Sequence, residues 1–201
     1  ASRGIGKAIA QTFARAGYDL YLTCHTKRDL LETLAKELEC KYNIACKTYC
    51  FSISDENAVR EMFENIPKLD VLINNAGILP KFNKTQNYSI EEIERVMNIN
   101  FYSAVYSIKA LLPMILESST PAIINVASSA ALMALAGTST YSASKAALKS
   151  FTESLREDLR GKCYVSVICP GFTKTDIFRN QDSNTAKGEK MINAISTDCD
   201  K

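Results

Sequence analysis

Ala1-Ser2-Arg3-Gly4-Ile5-Gly6, running on into Lys7-Ala8-Ile9-Ala10, is the stretch from which the fold is read. Gly4 and Gly6 permit a tight turn and a close backbone approach at the mouth of a helix. Ala8, Ile9, Phe13 and Ala16 then recur at helical spacing and Gly17 offers a stop, which predicts a helix over residues 5–16. The free amides and the positive dipole end of such a helix suit a pyrophosphate. A lone Gly-x-Gly is equally an ordinary loop, so the reading turns on the pattern of the residues after Gly17.

Strand-like and helix-like segments alternate there. The run Leu20 to Thr23 reads as a short strand, and Leu30, Leu31, Leu34 and Leu38 mark a helix. Cys46 to Ile53 is β-prone, residues 55–66 read as a helix, and Leu69 to Ile73 as a buried strand ending in Asn74-Asn75-Ala76-Gly77. Ser89-Ile90-Glu91-Glu92 has capping-box form and opens a long helix, which Pro113 is expected to bend or end. Ala122 to Ala127 and Tyr164 to Cys169 read as strands on either side of a helix over 140–159. This rhythm predicts an α/β fold, a doubly wound parallel sheet with helices on both faces, in one domain over residues 1–201. Residues 180–190 lack apolar periodicity.

Composition narrows the partners. With 46% hydrophobic and 23% charged residues over 201 positions, one globular core is expected. A formal charge of +2 argues against a nucleic-acid surface or an anionic membrane, and points to a small-molecule partner. The apolar stretch Ala122 to Gly137 carries Asn125 and several serines, so no membrane span is expected. Seven cysteines without a CxxC pair suit a reducing, cytoplasmic setting, with most of them buried as small apolar residues. His25 is the only histidine and has no ligand partners at metal-binding spacing, so no metal is expected.

Tyr141 and Lys145 stand four residues apart in Tyr141-Ser142-Ala143-Ser144-Lys145, which places phenol and ammonium on one helix face. Bringing a phenol from about 10 to about 7 takes roughly 4 kcal/mol of preferential stabilisation of the phenolate. A neighbouring lysine ammonium, together with a positively charged cofactor ring, could supply it in a site closed to water. Tyr141 is therefore the candidate general acid, with an exposed helix pair as the ordinary reading of the same spacing.

Taken together, these motifs resemble the short-chain dehydrogenase/reductase family, in family order over residues 1 to about 178. The opening loop is similar to the end of its Thr-Gly-x-x-x-Gly-x-Gly element, and Asn74-Asn75-Ala76-Gly77 to its Asn-Asn-Ala-Gly. The glycine loop with the Tyr-Ser-Ala-Ser-Lys centre looks most like the 3-oxoacyl-acyl-carrier-protein reductase-like branch. The resemblance implies hydride transfer between NADPH and a carbonyl or alcohol, a 3-oxoacyl thioester among the candidates. It also implies catalytic roles for Asn100, Ser128, Tyr141 and Lys145. Asn100 is preferred to Asn98 because residues two apart on a helix point roughly 200 degrees apart and Ile99-Asn100-Phe101 fits the family's Val-Asn-Leu. Its implied role is to hold a water beside the lysine. Ser128 is preferred to Ser129 on its separation from Tyr141; at a strand's carboxyl end it would donate to the substrate oxygen.

Cofactor contacts are expected from Ser2, Arg3, Gly4, Ile5 and Gly6 at the pyrophosphate, and from Asn74, Ala76 and Gly77 at the central strands. Tyr141 and Lys145 are expected at the nicotinamide half, with Pro170, Gly171, Thr173 and Thr175. His25, Thr26 and Lys27 follow the strand where an acid would select NAD; with Arg3 they favour NADP(H) and leave NAD(H) open. Ser52 stands where the family usually has an acid for the adenine, followed by Ile53. Family habit implies a homodimer or homotetramer through the helices of Asn100 and Tyr141. Measured against the family pattern, the first strand and the C-terminal end are missing. That strand lies at the centre of the sheet, so its loss should expose two edges unless another segment fills the slot. The alternative function is a non-catalytic dinucleotide sensor or interaction protein of the same fold.

Overall fold

Parallel strands alternate with helices in the computed structural model, which describes residues 1–53, 55–133, 135–173, 175–178, 181 and 197. The expected irregular segment at 180–190 lies, apart from Gln181, outside them. Helix α1 (Gly4–Arg15), strand β1 (Leu20–Cys24), helix α2 (Arg28–Tyr42) and strand β2 (Cys46–Cys50) form the first part. Helix α3 (Glu56–Glu64) and strand β3 (Val71–Asn74) come after β2. Next are α4 (Ile90–Met97), a π-helical turn (Asn98–Tyr102) and α5 (Ser103–Leu116), then β4 (Ala122–Val126), α6 (Ser139–Asp158) and β5 (Tyr164–Ile168). The doubly wound reading is thus the fold observed, with element ends within a few residues of those expected.

The strands pair in two groups, β1 with β2 and β3-β4-β5 in that order, every pair parallel. No described strand joins β1 to β3. Ala1 lies between them at their carboxyl ends: its amino group donates to the Thr23 carbonyl, and its Cα is near Gly6, which in turn abuts Asn75.

Two apolar clusters hold the layers together. Ala10 and Ala14 of α1 meet Leu31, Leu34, Ala35 and Leu38 of α2 over Leu22 of β1. Ile108, Leu111 and Ile115 of α5 meet Ile123 of β4, Val165 of β5 and Leu159. Each large aliphatic side chain taken fully out of water contributes about 1.5–3 kcal/mol, so the second cluster is what fixes α5 against the sheet.

Three expectations are corrected. Pro113 neither ends nor interrupts α5, which runs on to Leu116. The carbonyl it leaves unbonded is that of Lys109, and both residues are exposed, so water can satisfy it. The helical path from Ile90 to Leu116 is consequently 27 residues and, by length and composition, long and apolar enough to cross a membrane, contrary to the expectation of no such stretch. Here its inner side, with Val96, Leu111 and Ile115, lies in the protein interior. The cysteines differ too: Cys24, Cys46, Cys50, Cys163 and Cys169 are half-buried and Cys40 exposed, all with free thiols.

Candidate active site

The carboxyl ends of the strands and the start of α1 share one edge of the molecule, where an open α/β sheet binds ligands. Gly4 adopts φ +55, a left-handed conformation, and a Cβ there would also sit 3.1 Å from Thr175 Cγ2. Glycine is needed on both counts. No side chain caps the start of α1 and no acid stands in its first turn, so the leading amides remain available to an anion. A Cβ at Gly6 would fall 2.8 Å from Asn75 Nδ2 and 3.1 Å from Ala1 Cα, so it would have to displace the Asn75 side chain. A glycine-lined cradle with open amides fits a dinucleotide pyrophosphate.

At the far end of this edge, Phe51 N donates to the Cys24 carbonyl at 3.0 Å and Cys50 Sγ to the His25 carbonyl at 3.4 Å. These bonds set the turn at Ser52 and Ile53 beside His25. His25, Thr26 and Lys27 are exposed, as an adenosine phosphate would require. Arg3 departs from the expectation. Its guanidinium does not reach toward Lys27 but pairs with Asp176 at 2.9 Å, because the short helical turn Asp176–Phe178 sits against the glycine loop. With Arg3 so paired, Lys27 at the end of β1 is the remaining cation among the expected phosphate contacts.

The chemical end is a cleft of roughly 260 Å³. Ile5, Gly77, Ser128, Tyr141, Lys145, Pro170, Gly171, Thr173 and Thr175 all line it, so the glycine loop, α6 and the loop after β5 converge on one space. Sequence periodicity explains α6: Tyr141, Ser144, Lys145, Leu148 and Thr152 form its buried stripe. Lys145, 3% exposed, donates from Nζ to the Val126 carbonyl at 2.9 Å. Close packing over it requires Gly77, where a Cβ would lie 3.1 Å from Nζ and 3.4 Å from Asn100 Oδ1.

Asn100 lies behind the cleft, 1% exposed, on the π-helical turn, while Asn98 is exposed. Wide turns of this kind are frequent at functional sites, and here the turn aims one carboxamide inward. Its Oδ1 accepts from Ile78 N at 2.8 Å; its Nδ2 donates to the Ile78 carbonyl at 2.9 Å and to Ser144 Oγ at 3.0 Å. Ser144 Oγ donates onward to the Tyr141 carbonyl at 2.7 Å. Both amide hydrogens are therefore engaged in holding α6 and the Ile78 loop together, a bracing role beyond the water contact expected of this residue.

Burial holds the Tyr141 phenol above its ordinary value, with a hydrogen bond from Ser128 pulling weakly the other way. The expected drop toward neutrality is not supplied by the protein's own residues, since the Lys145 ammonium is turned to Val126. Burial also lowers Lys145, to about 8, while Cys169 opposes the shift. Ser128 Oγ accepts from Ala130 N at 3.1 Å, which leaves its hydroxyl hydrogen for the cleft side, where the phenol lies.

Not every candidate touches the cleft. Asn74 Nδ2 donates to Asn125 Oδ1 at 2.9 Å, and Asn125 Nδ2 to Thr152 Oγ1 at 2.8 Å, so Asn74 ties β3 to β4 and α6. Ala76, Ser2, Arg3, Gly4 and Gly6, with the β1 and β2 ends, lie outside its lining. Ser129 lines it beside Ser128. Sequence reasoning misses Ser144, Asn75 and the Val126 carbonyl. Ser144 is discoverable, being three residues after Tyr141 on the same helix face, whereas a backbone carbonyl leaves no trace in residue type.

Residues 1–186 match the family described as short chain dehydrogenase. An NADP-dependent 3-hydroxy acid dehydrogenase of Schizosaccharomyces pombe is 30% identical over 181 residues, covering 88% of this chain and 70% of that protein. The 11-beta-hydroxysteroid dehydrogenase 1A of Arabidopsis thaliana is 34% identical over 200 residues, covering 96% of this chain and 56% of that one. Among solved structures, a short-chain dehydrogenase from Sphingobium yanoikuyae in complex with NADPH superposes with a TM-score of 0.86 at 29% identity, over 99% of this chain and 77% of that one.

Proposed function

We propose, from the premise that this chain belongs to the short-chain dehydrogenase family and is an NAD(P)-dependent oxidoreductase acting on CH-OH groups, that it reduces a carbonyl with NADPH through Asn100, Ser128, Tyr141 and Lys145. The observation that carries the reading is the convergence of Ser128, Tyr141 and Lys145 on one cleft with Ile5 of the glycine loop at its other end. A nicotinamide bound there would supply the hydride.

The chain supplies the proton and the geometry. Burial keeps the Tyr141 phenol protonated at neutral pH, which loads it as the acid for reduction. Ser128, its lone pair occupied by Ala130 N–H, can donate to the substrate oxygen as negative charge grows there. Lys145 fixes the floor of the site to β4 through its hydrogen bond to the Val126 carbonyl. Asn100 and Ser144 brace the backbone of Tyr141 so that acid and carbonyl meet at fixed distance. Thr173 and Thr175 would hold the carboxamide and phosphate side of the cofactor, and Lys27 with His25 and Thr26 the 2′-phosphate that distinguishes NADP from NAD. The complexes of relatives with NADPH support that preference by analogy.

The expected homodimer or homotetramer through the helices of Asn100 and Tyr141 is supported by an exposed aromatic strip. Tyr102 and Tyr106 stack with ring centroids 6.1 Å apart, next to Phe101 packed edge-on against Phe151.

Carbon-bound deuterium tests the reaction: with NADPH deuterated at C4, a ketone should yield an alcohol one mass unit heavier. An alcohol carrying no label, or no alcohol with any ketone offered, would refute the assignment.

A further inference from the structure

Beyond the catalytic side chains, the cleft is walled by Leu79, Phe82, Met133, Leu135, Phe172 and Ile177. Among the described lining residues the only charged one is Lys145, which is nearly fully buried and committed to the Val126 carbonyl. A substrate carboxylate or sulfonate would lose its water there and find no charged partner among the described lining residues, at a cost of several kcal/mol.

The apolar wall continues outward. Met133 is 71% exposed, and Leu132, Leu135 and Phe82 are exposed too, so large hydrophobic side chains collect at the mouth of the cleft. Isolated exposed apolar residues need no explanation, but a group of them continuous with a catalytic cleft marks where an apolar ligand lies. One part of this wall is held in place from across the chain. Phe82 N donates to Gln181 Oε1 at 2.8 Å and Gln181 Nε2 donates to the Pro80 carbonyl at 2.9 Å, a two-point clasp that fixes the Phe82 backbone.

We propose that the substrate is an uncharged ketone or secondary alcohol with a bulky apolar body, its oxygen between Ser128 and Tyr141 and its hydrocarbon on the Leu79, Phe82, Met133 and Leu135 wall. The proposal rests on the oxidoreductase reading and specifies its substrate. It separates this chain from relatives that act on small acids.

Two matched series test it: methyl ketones with growing alkyl tails, and ketones of the same length ending in a carboxylate, each reduced with NADPH. kcat/KM should rise about fourfold per methylene over the first few carbons and fall at least about tenfold when the tail ends in a carboxylate. Met133→Lys, at an exposed position that tolerates the change, should move the preference toward the carboxylate series by about tenfold. Calorimetric binding of the corresponding alcohols and hydroxy acids to the NADP complex gives the same comparison without turnover. Tail-dependent binding with no reduction of any ketone would refute the catalytic reading and sustain this one. Reduction or binding indifferent to tail length, or favouring the carboxylates, would overturn this proposal and leave the catalytic reading standing.

Discussion

Asn100 and the backbone of Ile78 hold each other by two hydrogen bonds, 2.8 Å from Ile78 N to Oδ1 and 2.9 Å from Nδ2 to the Ile78 carbonyl. A third bond reaches Ser144 on α6, so one buried carboxamide ties the loop after β3 to the helix that carries Tyr141 and Lys145. Asn100→Leu keeps the volume and removes all three. With the half-buried backbone groups of Ile78 left unpaired, stability should fall by about 2 kcal/mol in urea unfolding. Ser144→Ala, which loses only the outer bonds, should cost about 1 kcal/mol. Equal losses in the two variants would mean that the Ile78 contact carries little.

Lys145 gives the molecule a pH signature. Burial lowers its value from 10.5 to about 8, so between those values the folded state binds fewer protons than the unfolded chain, and this group's contribution to stability rises with pH. Below pH 8 the buried ammonium costs roughly 3 kcal/mol. Cys46, pushed up to about 11, and Tyr141 act in the opposite direction, but they do so equally in a Lys145→Met variant. The stability of Lys145→Met relative to the parent should therefore fall by roughly 3 kcal/mol from pH 8 to pH 10.5. A difference that stays flat across that window would show that the ammonium is not desolvated as described.

Ser128 and Ser129 both line the cleft, yet of the two it is the Ser128 hydroxyl that acts on the Tyr141 phenol, lowering its value against burial. Ser128→Ala should lower kcat by about 100-fold to 1000-fold, the usual effect of losing one donor to a developing oxyanion. Ser129→Ala should stay within about threefold, since its backbone N–H, which donates to the Pro170 carbonyl at 2.8 Å, survives the change. The reverse ranking in steady-state kinetics would reassign the donor.

Much of this site can be read from residue order because its chemistry rides on regular periodicity. Tyr141 and Lys145 share a helix face by spacing alone, and the glycine loop is marked by residues that no other side chain could replace. The features that residue order hides depend on contacts between distant segments. Sequence pattern puts Arg3 at the adenosine phosphate, but it is drawn to Asp176, which lies beyond β5 far along the chain. The π-helical turn at Asn98–Tyr102 has no signal in a pattern of period 3.6, and Pro113 looks like a breaker until the solvent exposure of Lys109 is known. The phenol's upward shift likewise comes from burial, which spacing does not report.

With Arg3 engaged by Asp176, the proposed preference for NADPH rests on the end of β1. Lys27→Ala should reduce kcat/KM for NADPH by about tenfold while leaving NADH unchanged, a difference of about 1.4 kcal/mol. Lys27 is exposed, so the loss should shrink as salt is raised. Equal effects on both cofactors would place the 2′-phosphate elsewhere.

The central claim is that the Tyr141 hydroxyl delivers the proton while the rest of the cleft only binds and orients. Tyr141→Phe deletes that one oxygen from a side chain that is 9% exposed and otherwise keeps its shape. Measured side by side, NADPH affinity by fluorescence titration should remain within about threefold of the parent, and ketone reduction should fall by about 1000-fold. A variant that binds NADPH and still reduces ketones within about tenfold of the parent rate would contradict the account.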